Sequence, residues 1–318
     1  MKNIYSNIFS YNKKTLHKTI ANLKKGNIVG LPTETVYGLA GNAYSKESIK
    51  KIYKLKKRPK INPLIVHFYD YRDATNDVHL NANFFKLYKK FCPGPITFIL
   101  KKKINSEIHS MVSANLNTVA VRFPYHKITR AILKKISFPL AMPSANVSSG
   151  LSPVNAEDVA DEFKKKLKHI VNGGKSKIGI ESTVIDLTRK PMILRPGIIG
   201  LNNIKKILNL RINIYKKNSK IVSPGMLEKH YSPGIPIYLN KKTVNYAHAQ
   251  ITLGNKYNHK KNFFNLSKKS DLKEAASNLY KTLRKIKKLK FKKIYVVKIP
   301  NIGPGIAIND RLKRAARK

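Results

Sequence analysis

Cysteine occurs once in this sequence, at Cys92, which excludes an internal disulfide and any zinc or iron–sulfur site built from several cysteines. Acidic residues are scarce as well: 16 Asp and Glu stand against 64 Lys and Arg, a formal net charge of +48. The resulting surface field attracts nucleic acid, nucleotides and other polyanions without choosing among them. Because the lysines run through the whole chain, compositional drift towards Lys, Asn and Ile accounts for part of that charge. No apolar run approaches the roughly 18 residues of a membrane span, and the opening MKNIYSNIFSYNKK lacks the apolar core of a secretion signal. No acidic residue precedes Glu34, as in transit peptides, but those favour Arg and Ser over this Lys/Asn mixture. The expectation is a cytoplasmic protein in a reducing compartment, with no membrane partner.

What is present is enough chain for a sizeable core, since 318 residues with 42% hydrophobic content predict two domains. Residues 14–25 carry Leu16, Ile20 and Leu23 at helical spacing and stop at Gly26, after which NIVGL reads as a short buried strand. Ser45 is the expected N-cap of a helix bearing Ile49, Ile52, Tyr53 and Leu55, which Pro59 ends. PLIVHF, ITFIL, NTVAVRF, PLAM, HIVNGG, STVIDL and MILRP are short apolar or β-branched runs bounded by turn residues, several of them separated by helical patterns. Together they predict an α/β domain with a mixed sheet over residues 1–200. Three prolines and two glycines between 216 and 236 forbid a long helix, so 201–236 reads as a linker or an active-site loop. PIYL, AQITLG and KIYVVKI, with a helix opened by Asp271 and faced by Leu272, Ala276, Leu279, Leu283 and Ile286, predict a small α/β domain over 237–318.

The chemistry-bearing residues sit at the ends of these elements. KLKKRPKINPL, residues 54–64, places five cations at an exposed helix C-terminus, where offsetting the helix dipole would suffice to explain them. PTET follows the first strand and offers hydroxyls where α/β sheets bind ligands, or is merely a turn. AMPSANVSSGLSP follows another strand and is either a phosphate-binding nest or a polar loop with a serine cap for the helix at AEDVADEF. GGKS is not a P-loop, because the first glycine of that motif would fall on His169 and no helix follows. Arg122 and Arg195 end strands and could each grip a carboxylate or phosphate, or form a surface ion pair. His67 fits either a core histidine or a ligand. Taken together, Lys56, Arg58, Arg122 and Arg195 with Thr35, Ser144, Asn146 and Ser182 describe an anion pocket. With no Cys–His pair and no GxSxG elbow, that pocket works by positioning and charge stabilisation.

PTETVYGLA, KKRPKINPLIVH, TVAVRFP, PSANVSSGLSP, IESTVID and LRPG, in this order over residues 15–200, resemble the YrdC-like family of threonylcarbamoyl-AMP synthases. SPGMLEKHYSP and GIAINDRLKRAA resemble the linker and C-terminal domain of its long, two-domain form. The resemblance implies a YrdC-like domain with a twisted mixed sheet flanked by helices, plus a small Rossmann-like C-terminal domain. It implies a nucleotidyltransferase that joins L-threonine, bicarbonate and ATP, with Mg²⁺ carried by the nucleotide, into L-threonylcarbamoyladenylate and pyrophosphate. That product leads to threonylcarbamoyladenosine at position 37 of tRNAs reading codons that begin with A. By the same resemblance Lys56, Arg58, Ser144 and Asn146 surround the triphosphate as catalytic groups, and Asn62, Thr118, Ser152, Arg195 and Tyr231 touch ATP with them. Thr35, His67, Arg122, Ser182 and the main chain of Met142 hold threonine, no resident metal is implied, and the linker closes over the nucleotide. SPGMLEKHY departs from relatives, which carry basic and aromatic residues after the methionine. Partners expected on this reading are tRNA or double-stranded RNA and the downstream proteins that transfer the product to tRNA. A hydrogenase-maturation carbamoyltransferase shares the domain but carries zinc-binding cysteines that this chain lacks. The rival from another class is a noncatalytic tRNA or double-stranded RNA binding protein.

Overall fold

The computed structural model describes residues 5–215, 230–243, 245–257 and 261–317. The helix expected over 14–25 forms as Lys13–Lys24, capped by the Asn12 side chain, which accepts from the Thr15 N–H at 2.8 Å. Ser45 caps Lys46–Lys56 as expected, and Lys57 ends it in the left-handed region. The helix at AEDVADEF, Ala156–Phe163, is capped by Asn155 and not by a serine.

All seven apolar runs become strands of one large sheet. Its order among the described residues is Ile8–Ser10, Ile170–Asn172, Val29–Leu31, Gly38–Asn42, Leu140–Ala141, Ile65–His67, Thr118–Arg122, Ile96–Lys101, Thr183–Asp186, Met192–Arg195 and Asn213–Ile214. Parallel and antiparallel pairs alternate irregularly, so the sheet is mixed. Gly38–Asn42 is a strand the sequence pattern does not announce, because GLAGN has low β-propensity and two glycines; burial against the sheet overrides it. At the far edge, helix Leu201–Leu208 and strand Asn213–Ile214 extend the sheet into the segment expected as linker. Within that segment residues 216–229 lie outside the described residues, and His230 and Tyr231 after them are buried.

The main core fills one face of the sheet, where Phe84, Phe98 and Phe123 meet edge-on or tilted at 5.0–6.0 Å between ring centroids. The helix Lys13–Lys24 and Ile128, Ile132 and Leu133 cover part of the other face. The second domain is a four-stranded parallel sheet in the order Ile237–Leu239, Ile294–Val296, Ala249–Thr252, Phe263–Asn265, with helices Leu272–Lys288 and Pro304–Ala315. Val36, Leu151, Val154 and Ile180 of the first domain are buried in the apolar cluster of the second, so the two share a core. No helix among the described residues is long and apolar enough to cross a membrane.

His169 marks one seam of this fold: its Nε2 lies 2.8 Å from the Thr19 hydroxyl and its ring stacks on Phe9 at 4.6 Å. Burial, with Lys18 adding, pushes its pKa down to about 4, below the roughly 6.5 of an unfolded chain. Stability carried by the neutral ring is therefore full above about pH 6.5 and is lost as the pH falls towards about 4. Urea midpoints measured between pH 7 and 4.5 should drop less in His169→Phe than in the parent, and equal slopes would contradict this role.

Candidate active site

Lys56 shows how far the cationic run departs from an exposed helix end. Its side chain is 1% exposed and its ammonium donates to the carbonyls of Ser144 and Asn146. Lys54 and Lys56 leave the helix on its exposed and buried faces, and beyond the left-handed turn at Lys57 the chain exposes Lys60 and brings Arg58 to the cleft. Lys56 is thus a pin for the loop after strand Leu140–Ala141. In that loop Ser144 donates to Asn146 Oδ1 at 2.6 Å, and the Asn146 amide donates to the Val147 and Gly150 carbonyls at 2.7 and 3.0 Å.

Arg58 lines the cleft beyond this pin, held by the Asn62 and Pro63 carbonyls and Asn62 Oδ1 at 2.6–2.9 Å. Burial lowers its pKa to about 10, which leaves it charged at neutral pH. Arg122 enters from the end of strand Thr118–Arg122 and donates to Glu34 at 2.8 Å; the other Glu34 oxygen takes the Tyr125 N–H at 3.2 Å. The Arg122 Nε remains buried without a partner. His67, on the neighbouring strand in register with Arg122, is 1% exposed, and burial and the Arg122 charge push its pKa well below the usual histidine range. It is a neutral ring at the cleft wall. Arg195 donates to the Ser182 carbonyl at 3.0 Å and hydroxyl at 3.1 Å, and the Ser182 hydroxyl lies 2.7 Å from that of Thr97.

Arg58, His67, Arg122, Met142, Ser144, Arg195 and Tyr231 therefore share one cleft. Lys56, Asn62, Asn146, Ser152, Ser182 and Thr35 are buried residues outside its direct lining, and Thr35 hydrogen-bonds Thr33, which does line it. The Met142 N–H is already given to the Ile65 carbonyl at 2.8 Å, so the amide is not free for a ligand. Thr118 sits at the opposite end of its strand from Arg122, though on the same face by alternation. Among the described residues, the buried polar atoms lacking partners include Arg122 Nε, His230 Nδ1 and the Tyr231 hydroxyl, all on cleft-lining residues. Buried polar groups are ordinarily paired, so three such atoms on one cleft mark it as polar inside.

Five residues at or beside the cleft carry no role in the expected site: Glu34, Glu181, His230 and Arg311, which lie inside the quoted motifs, and Tyr280, which lies outside them. A signal existed for two of them. Glu34 is the first acidic residue of the chain, and Glu181 is the only one between Glu162 and Asp186. No group of three metal-ligating side chains occurs among the described residues.

A mixed α/β domain with three arginines turned into one cleft, packed against a small parallel α/β domain, defines a two-domain fold of the Sua5/YciO/YrdC type. Residues 21–197 match the family described as "Telomere recombination", and residues 199–317 match "Threonylcarbamoyl-AMP synthase, C-terminal domain". The chain belongs to this family. It is 33% identical to the threonylcarbamoyl-AMP synthase of Pyrococcus abyssi over 92% of both chains, and 33% identical to that of Bacillus subtilis over 96% of this chain and 94% of the other. The crystal structure of P. abyssi Sua5 complexed with L-threonine superposes with a TM-score of 0.87 at 29% identity, covering 97% of this chain and 96% of that one.

Lys56→Met keeps the length of the buried side chain and removes its donors to two carbonyls. Since an unsatisfied buried acceptor costs about 1–3 kcal/mol, the substitution should lower unfolding free energy by about that amount in urea titrations. Unchanged stability would return Lys56 to the role of a solvated helix-end charge.

Proposed function

We propose that this protein is a threonylcarbamoyl-AMP synthase, a nucleotidyltransferase that condenses L-threonine, bicarbonate and ATP to L-threonylcarbamoyladenylate and pyrophosphate. The observation that carries it is the convergence of Arg58, Arg122 and Arg195 in one cleft, with the Arg122 Nε still unpartnered. Every reactant is an anion or becomes one, and mutual repulsion has to be screened before they can meet.

In the proposed reaction the neutral threonine amine adds to bicarbonate with loss of water, or to carbon dioxide with release of the amine proton, giving a carbamate. A carbamate oxygen then attacks the α-phosphorus, the bond from that phosphorus to the bridging oxygen of pyrophosphate breaks, and pyrophosphate leaves with the electron pair. Arg122, oriented by Glu34, presents its free edge to the threonine carboxylate. The neutral His67 ring beside it supplies a wall that adds no charge to the amine's surroundings. Arg58 and Arg195 face the phosphates, with Ser144 and Tyr231 beside them. Lys56, Asn62, Asn146, Ser152, Ser182 and Thr35 act from behind by fixing these groups, and Thr118 is the outlying member of the nucleotide set. Mg²⁺ enters with the phosphates, as no carboxylate cluster offers it a separate seat among the described residues.

The noncatalytic RNA-binding alternative calls for cations turned outward to a phosphate backbone, whereas the arginines of the cleft are buried or half-buried and aimed inward. The +48 surface is compatible with affinity for tRNA or double-stranded RNA in addition to catalysis. Hand-over to tRNA-acting transfer proteins in the cytoplasm belongs to the same proposal.

Pyrophosphate release from ATP should require both threonine and bicarbonate; release that ignores either substrate would overturn the synthase reading. Within it, Arg122→Lys keeps the charge but loses the planar fork, and should raise the KM for threonine about tenfold with a smaller effect on the KM for ATP. Equal effects on both would move Arg122 away from the amino acid.

A further inference from the structure

The segment IGIES, residues 178–182, passes between the two domains and gives successive residues to each. The Ile178 and Gly179 amides donate to the carbonyls of Glu34 and Thr35 at 2.9 and 3.0 Å, which ties the segment to the cleft wall. Gly179 adopts φ +76°, and a Cβ there would lie 2.6 Å from Ser277 Cα, so helix Leu272–Lys288 is seated directly on this backbone. Ile180 is fully buried in the apolar cluster of the second domain. Glu181 then faces the second domain and the cleft together, and Ser182 returns to the cleft side against Arg195.

Glu181 is the junction. It receives the Arg311 Nε at 2.8 Å and the Tyr280 hydroxyl at 3.0 and 3.1 Å, both from the second domain, and the Ser152 hydroxyl at 2.5 Å from the first. Arg311 also donates through Nη1 to the Pro196 carbonyl at 2.7 Å, one residue beyond Arg195. One guanidinium thus braces the neighbours of both Ser182 and Arg195, which bond each other across the same gap. The Arg311 guanidinium lies 5.2 Å from the Tyr231 ring, and Tyr280 stacks on that ring at 5.9 Å. A buried ion pair of this kind is weak evidence for stability, because desolvation offsets much of the attraction. What it does supply is a fixed distance between groups on two chains of contact.

We propose that Arg311 and Tyr280 are positioning residues of the active site: through Glu181 and Pro196 the second domain sets the spacing of Ser152, Ser182, Arg195 and Tyr231. Neither side chain lines the cleft, and neither touches a reacting atom. The inference deepens the synthase reading and rests on it for the identity of the nucleotide. It makes the second domain a structural part of the nucleotide site.

The test compares the full chain with Arg311→Met, Arg311→Lys and Tyr280→Phe, measuring KM for ATP, KM for threonine, kcat and Tm. Three of the four positioned groups stand on the nucleotide side, so Arg311→Met should raise the KM for ATP about tenfold or more, and several times more than the KM for threonine. Arg311→Lys retains the charge but not both arms of the fork, and should fall between parent and Arg311→Met. Tyr280→Phe keeps the stacked ring and removes one donor from the buried Glu181 carboxylate; it should shift the KM for ATP in the same direction, with a moderate fall in Tm. A purely structural role predicts loss of active protein, which lowers kcat and leaves both KM values unchanged; that result in Arg311→Lys and Tyr280→Phe overturns the proposal. Should Arg311→Met fail to fold, those two variants decide alone. If the parent itself releases no pyrophosphate, the synthase reading fails separately. Calorimetric binding of a nonhydrolysable ATP analogue then decides, with unchanged Kd in the variants counting against the inference.

Discussion

Gathering like charges in a protected cleft is the constraint under which the rest of this structure is arranged. Two unit charges about 4 Å apart repel by about 4 kcal/mol at an effective dielectric of 20; burial weakens the hold of Arg58 and of Arg195 on their protons, the Arg195 charge adding at Arg58 and the Arg311 charge at Arg195. The chain has few carboxylates with which to answer. Lys56 and Arg58 are instead met mainly by backbone carbonyls, at Ser144, Asn146, Asn62 and Pro63. Arg122 takes Glu34, Arg195 takes a serine, and Glu181 serves the seam. Although burial alone would raise it, Arg311 and Arg195 hold the Glu181 carboxyl down at about 2, so it stays ionised throughout the physiological range. The compensation remains partial: the Arg122 Nε stays buried without a partner.

The same compensation explains what the sequence could and could not tell. Periodicity located the strands and the helices Lys46–Lys56 and Leu272–Lys288, because their apolar faces are regular and their caps are side chains of expected type. It did not locate Gly38–Asn42, whose two glycines hide a strand fixed between Val29–Leu31 and the distant Leu140–Ala141, or Phe263–Asn265, three residues too short to show a period. Among site residues, the family motifs marked the groups that face the cleft and those just behind it with equal weight. Only coordinates separate Arg58, which lines the cleft, from Lys56, which is buried beneath a loop two residues away. An i, i+2 pair straddling a left-handed helix cap splits to opposite duties, and the sequence carries no periodic trace of that turn. Arg311 was hidden for another reason: DRLKRAA reads as an ordinary basic helix end, and its partner lies 130 residues earlier.

The cleft also limits the kind of catalysis available. Among the described residues of the cleft wall, the Ser144 hydroxyl is given to Asn146 and the Thr33 hydroxyl to the Val36 carbonyl, so neither is poised as a nucleophile. His67 is kept neutral but faces a backbone carbonyl at 3.3 Å, as a wall would. What remains is geometry and charge. For a reaction in which one substrate's oxygen must meet another's phosphorus, holding both in line supplies much of the barrier reduction. That demand falls on the rigidity of the arginines. Each is fixed by at least one backbone or carboxylate partner before substrate arrives, so less side-chain entropy remains to be lost on binding.

Rigidity of that kind has to come from somewhere, and a single mixed sheet does not provide it on every side. The loops after strands Leu140–Ala141 and Met192–Arg195 and the IGIES segment have only one face against the first domain. Their other face is covered by helices of the second, through Ile180, Leu151 and Val154 in its core and Arg284 on the Leu151 carbonyl at 2.6 Å. Remove that cover and Glu181, Ser152 and Arg195 would each keep a local partner but lose their common reference. The cleft therefore lies against an interface: the first domain carries Arg58, Arg122 and Arg195, and the second braces Glu181 and Pro196 beside them.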